Sequence, residues 1–119
     1  MFKALRRIGN LIRGSNKMTD KKRAVLAREA IVWAGDLDDD CHARWAGLLL
    51  RAEWMDEDYW WWAVYDMEKN EITIDASYNY DENFIGGEIS RKKAEDVARQ
   101  YLVISGIISD SDINKGNPH

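Results

Sequence analysis

Apolar residues first recur at helical spacing at Met1, Leu5, Ile8 and Ile12, with basic residues between them. This predicts a short basic amphipathic segment over residues 1–13. Gly14-Ser15-Asn16 interrupts it, and Thr19-Asp20 is a helix-start signal. Lys21 to Ala34 reads as a helix rich in alanine, with Gly35 as its stop. Asp36 to Asp40 form an acidic connector suited to a following helix N-terminus. From Cys41, the positions Trp45, Leu48, Leu49, Ala52 and Met55 predict a second helix.

The pattern then changes. Tyr59 to Asp66 (YWWWAVYD) is dense in β-favouring aromatics, and Glu71 to Ala76 alternates polar with apolar residues. A turn over Glu68-Lys69-Asn70, with Asn70 left-handed, pairs Met67 with Glu71 and makes a hairpin. In that register Trp60, Trp62 and Val64 share a face with Ile72, Ile74 and Ala76. Tyr59, Trp61 and Tyr65 then lie beside Thr73 and Asp75. A slip of one residue exchanges the two faces. Residues 77–88 read as a polar loop, and Ser90 as a helix N-cap. Ala94, Val97, Ala98, Tyr101 and Leu102 form the apolar stripe of a last helix that Gly106 stops.

The expected fold is therefore α+β. It has two N-terminal helices, an aromatic antiparallel hairpin at about 59–66 and 71–77, and a C-terminal amphipathic helix at about 90–105. One domain covers 18–108, preceded by a basic appendage over 1–17 and followed by a polar tail over 109–119. Met18 offers a second possible start of translation. A hydrophobic content of 45% in 119 residues suffices for one core. No apolar run reaches the roughly 20 residues of a membrane span, and Arg6, Arg7, Asn10 and Arg13 break any signal-peptide core. The single cysteine, Cys41, has no internal disulfide partner, which fits a reducing compartment.

Charge divides the chain. Residues 1–28 hold nine basic residues and one acid, a net of +8, so the remainder carries −12. Such asymmetry concerns partners more than fold.

The inventory for chemistry is thin. Cys41 and His42 are adjacent, so on a helix they point about 100° apart and do not face each other. Asn79, Asp81 and Asn83 imitate the start of a calcium loop, but Phe84 and Ser90 stand where Gly and Glu are needed. There is no zinc-ligand spacing, and Gly86-Gly87 lacks the residues of a phosphate loop. The expectation is a protein that is no enzyme, with no cofactor, no metal and no catalytic residues. The residues suited to contact a partner are Trp61, Tyr65, Asp75, Tyr78, Tyr80, Asp81 and Glu82, which interleave aromatics with acids.

The stretch from Trp60 to Leu102 runs WWWAVYD, a short turn, ITIDASYNYDENFIGG, then SRKKAEDVARQYL. It resembles small immunity proteins of bacterial contact-dependent inhibition and other polymorphic-toxin systems. The resemblance implies a cytoplasmic protein that neutralises a cognate toxin by binding a basic domain, such as a nuclease. Two other readings fit the same profile. One is a phage-encoded inhibitor of a host defence protein. The other is an adaptor whose basic residues 1–28 bind nucleic acid or anionic membrane.

Overall fold

The computed structural model describes residues 17–115, and the expected amphipathic segment 1–13 lies outside them. Its centre is an antiparallel sheet of five strands in sequential order: β1 (Ala34–Gly35), β2 (Asp40–Trp45), β3 (Leu48–Asp56), β4 (Tyr59–Asp66) and β5 (Ile72–Ala76). Helix α1 (Asp20–Leu26) precedes the sheet, and α2 (Gly87–Ile104) and the short α3 (Asp110–Lys115) follow it. The α+β class holds, with a larger sheet than the expected lone hairpin. Among the described residues no helix is long and apolar enough to cross a membrane.

The expected second helix is instead the β2–β3 hairpin. Burial alternates strictly along β2, with Cys41, Ala43 and Trp45 inside and His42 and Arg44 outside. Leu48, Leu50 and Ala52 continue the inner face on β3. The strands meet at Ala46-Gly47, both left-handed with φ of 52° and 83°, as a two-residue turn between right-twisted strands requires. A Cβ on Gly47 would stand 2.9 Å from Arg23 Nε, so bulk there meets a buried guanidinium.

The first helix is also shorter than expected. Thr19 caps it as the sequence implied, its side chain accepting from the Lys22 amide at 3.1 Å. It ends at Leu26 rather than Ala34. The Trp45 indole donates to the Glu29 carbonyl at 2.9 Å, and the Trp33 indole donates to Glu95 at 2.8 Å. These bonds hold residues 27–33 along the sheet and α2, off the course of a continued helix.

In the β4–β5 hairpin, Asn70 is left-handed with a φ of 61°, and the expected register holds for Asp66–Ile72 and Tyr65–Thr73. A bulge at Ile74 then shifts it by one, so Val64 pairs with Asp75 and Ala63 with Ala76. Asp75 is thereby moved from the Trp61–Tyr65 face to the Trp62–Val64 face.

Helix α2 packs across β3 and β4 on the inner face. Ala94, Ala98 and Leu102 are wholly buried, and Val97 and Tyr101 are partly buried against the core. The helix starts three residues before the expected cap, and Ser90 sits buried within it. Gly106 ends it as expected. With a φ of 78°, it lets Ile107 N–H bond the Leu102 carbonyl while its own N–H bonds Val103. In the expected polar tail, residues 110–115 form α3, where Ser109 N–H and Oγ both donate to the Asp112 carboxylate.

A buried ion pair fixes α1 to the sheet. Arg23, 1% exposed, donates to Asp66, wholly buried, at 3.0 Å and to the Ala46 carbonyl at 2.9 Å. Tyr101 of α2 and the Glu68 amide donate to the same carboxylate at 2.6 Å and 2.9 Å.

Candidate functional site

Three loops converge at the end of the sheet where β3 turns into β4. The hairpin tip is closed by Asp58 N–H donating to the Asp56 carboxylate at 2.8 Å. The acidic connector before β2 is tied to it by the Trp54 amide, which donates to the Asp39 carbonyl at 2.6 Å. The loop before α2 is tied by the Trp60 amide, which donates to the Phe84 carbonyl at 2.7 Å. Trp54 and Trp60 are cross-strand partners with different fates. Trp60 is covered by the start of α2, where a Cβ on Gly87 would come within 2.8 Å of its ring. Trp54 lies beyond the helix and stays 46% exposed, beside Met55 at 50%.

Trp54, Asp56, Glu57, Asp58, Tyr59 and Asn83 line a shallow open depression of about 610 Å³. Asp36, Asp38, Asp39, Asp81 and Glu82 are exposed on the neighbouring loops. The result is an end of the molecule that is acidic and carries large apolar side chains in water. Its carboxylates spread over a surface. Among the described residues, no group of three or more His, Cys, Asp or Glu is placed to hold a metal ion.

The structure divides the seven residues expected to contact a partner. Tyr78, 67% exposed, with Asp81 and Glu82, belongs to this acidic end. Trp61 and Tyr65 are half-buried on the opposite, outward face of the sheet, where Arg51 lies 5.3 Å over the Trp61 ring. Asp75 and Tyr80 are engaged with each other. The Tyr80 hydroxyl donates to Asp75 at 2.5 Å, and Asn79 and the Ala76 amide also donate to that carboxylate. Tyr80 packs on Trp62 and Phe84, with Lys93 4.9 Å from its ring. The hairpin tip Trp54 to Tyr59 had been hidden by the helical spacing of 45–55. Its signal in the sequence is Asp56-Glu57-Asp58, an acidic turn between Trp54 and the aromatic run that starts at Tyr59.

The Tyr80–Asp75 bond sets a pH dependence. Burial opposes ionisation of Asp75, but bonds from Tyr80, Asn79 and Ala76, with Lys93 nearby, outweigh it and lower its pKa from 3.8. The bond to Asp75, then burial, pushes Tyr80 up to about 12. A lowered acid stabilises the fold above its unfolded pKa, and this contribution fades as pH falls through the folded value. A raised tyrosine stabilises below pH 10, and its contribution is lost between 10 and about 12. In thermal melts across pH, Tyr80→Phe is expected to flatten both limbs. Identical pH profiles for variant and parent would contradict this assignment.

Cys41 and His42 cannot cooperate, because neighbours on a strand face opposite sides of the sheet. Burial raises the Cys41 thiol, and the opposing effect of Arg91 is smaller. A thiol reagent is expected to label the folded chain far more slowly than the denatured chain, and equal rates would show an accessible thiolate. Gly87 has a packing role, since Trp60, Arg91 and the Leu37 carbonyl fill the space a side chain would need, and Gly86 takes a positive φ of 102°.

Comparison with protein-family models, with curated proteins and with solved structures finds no match.

Proposed function

We propose that the chain is a non-catalytic binding protein that engages a basic protein domain through the acidic end of its sheet, as a cytoplasmic immunity protein engages its toxin. The observation that carries this reading is the exposed Trp54–Met55 pair among the carboxylates Asp56, Glu57 and Asp58. An exposed tryptophan in a shallow depression supplies apolar contact area, and carboxylates around it select a cationic partner and speed its approach. The carboxylates can occupy the sites where a nuclease holds phosphate. Tyr78, Asp81 and Glu82 extend the surface, while Asp75 and Tyr80 hold its loop in shape.

The test uses basic toxin domains encoded beside the gene. The chain is expected to bind one of them with an affinity that falls as salt rises, because exposed charges are screened over about 8 Å at physiological ionic strength. Trp54→Ala is expected to cost at least about 2 kcal/mol of binding. Asp56→Lys with Asp58→Lys is expected to abolish protection of cells that express the toxin. Full protection by the charge-reversed chain would overturn the proposal.

A further inference from the structure

The outward face of the sheet differs in character from its acidic end. Helix α2 and the core lie on the other side of the sheet, and this face is partly open to water. Its rows across β2, β3 and β4 are Arg44–Leu49–Tyr65, His42–Arg51–Ala63 and Asp40–Glu53–Trp61. Asp40, His42 and Arg44 are exposed, Leu49, Arg51, Glu53, Trp61 and Tyr65 are half-exposed, and Ala63 is buried among them. Across three strands the patch is about 10 Å wide, and Trp61 and Tyr65 stand about 13 Å apart along β4. The Arg51 guanidinium, 5.3 Å over Trp61, adds a second stacking plane. Glu53, 3.5 Å from Arg51 and the cross-strand partner of Trp61, begins the acidic end within the Trp61 row.

Cations gather at the far border. Arg44 is one residue from Trp45, where β2 turns into β3, and Arg23 anchors α1 to that turn through the Ala46 carbonyl. Met18 N–H donates to Glu68 at 2.8 Å, which places the start of the described chain at the same end of the sheet. Lys17, Lys21 and Lys22 are exposed there.

We infer that this face binds single-stranded nucleic acid, with bases stacked on Trp61, Arg51 and Tyr65 and phosphates drawn to Arg44 and the cations beside it. An open sheet with aromatic and guanidinium planes suits two or three unstacked bases, and a basic border suits their backbone. A lipid surface is a poorer fit. The exposed hydrophobics Ile85 and Ile89 lie in the loop before α2 and in α2, off this face, and Leu49, Trp61 and Tyr65 are half-buried. This site is separate from the acidic end and does not depend on it.

The experiment follows fluorescence anisotropy of a labelled oligothymidylate titrated with the full chain at low salt. An abasic strand of equal length and vesicles of phosphatidylserine and phosphatidylcholine are the comparators. The parent chain is expected to bind the oligothymidylate roughly tenfold more tightly than the abasic strand, the effect of one or two stacked bases. Trp61→Ala is expected to remove that preference and Trp61→Phe to keep most of it. Arg44→Glu is expected to weaken binding to both strands and to reduce the salt dependence. Arg44 is exposed, so that variant reads the surface without disturbing the core. Asp56→Lys with Asp58→Lys is expected not to weaken oligonucleotide binding, which separates this test from that of the acidic end. Absence of oligonucleotide binding, equal affinity for the abasic strand, or binding to vesicles alone would each overturn the inference.

Discussion

Asp66→Ala is expected to destabilise the fold by about 3–5 kcal/mol, because it leaves the Arg23 guanidinium buried without its counter-charge. Arg23 is 1% exposed and cannot reach water without moving α1. The same change strips the acceptor from Tyr101 and from the Glu68 amide, so α2 and the β4–β5 turn loosen together. Domains of this size have only about 5–15 kcal/mol in hand, so the variant would sit near its unfolding threshold. Arg23→Ala should cost a similar amount. The double variant should cost clearly less than the sum, since neither charge is then left alone. Denaturant unfolding of the four proteins measures the coupling. Additive losses, or losses below about 1 kcal/mol for each single variant, would mean that the pair does not hold α1 to the sheet.

The sequence announced some of this architecture and hid the rest for identifiable reasons. The stripe of α2 was legible because Ala94, Ala98 and Leu102 face one continuous surface at a single period. Strand β4 was legible because six of its eight residues are aromatic or β-branched, and Thr19 and Gly106 did the capping their residue types imply. The stretch from Cys41 to Met55 satisfied two periods at once. Trp45, Leu48, Leu49 and Ala52 fit a helix, while Cys41, Ala43, Trp45 and then Leu48, Leu50, Ala52 fit two strands. Tertiary packing chose the second, and the deciding turn used Ala46, which carries no turn signature, in a left-handed conformation stabilised by a bond from Arg23. The bulge at Ile74 had no signal either. It is what turned Asp75 from a surface acid into Tyr80's partner. The candidate site suffered accordingly. Its acidic and aromatic composition was legible, but Trp54 to Asp58 are at the tip of a hairpin that a helical reading erased.

The three consecutive tryptophans of β4 provide the sharpest check on the register. Trp62 is wholly buried at the centre of the inner face, and it packs against Tyr80 at 5.7 Å and against Phe84 at 5.6 Å. Trp62→Ala is expected to cost about 3–5 kcal/mol, from the lost transfer energy and from a cavity that the rigid sheet and α2 cannot close. Trp61 is its neighbour in sequence but lies on the outward face, where truncation opens no cavity. Trp61→Ala should cost about 1 kcal/mol, mainly its contact with Arg51. A slip of one residue in β4 would reverse the two values, because every side chain of the strand would change sides. Chemical denaturation of both variants therefore reads the register directly. Similar losses for Trp61→Ala and Trp62→Ala would show that the outward face is covered as well, and would remove the open surface on which the nucleic-acid site depends.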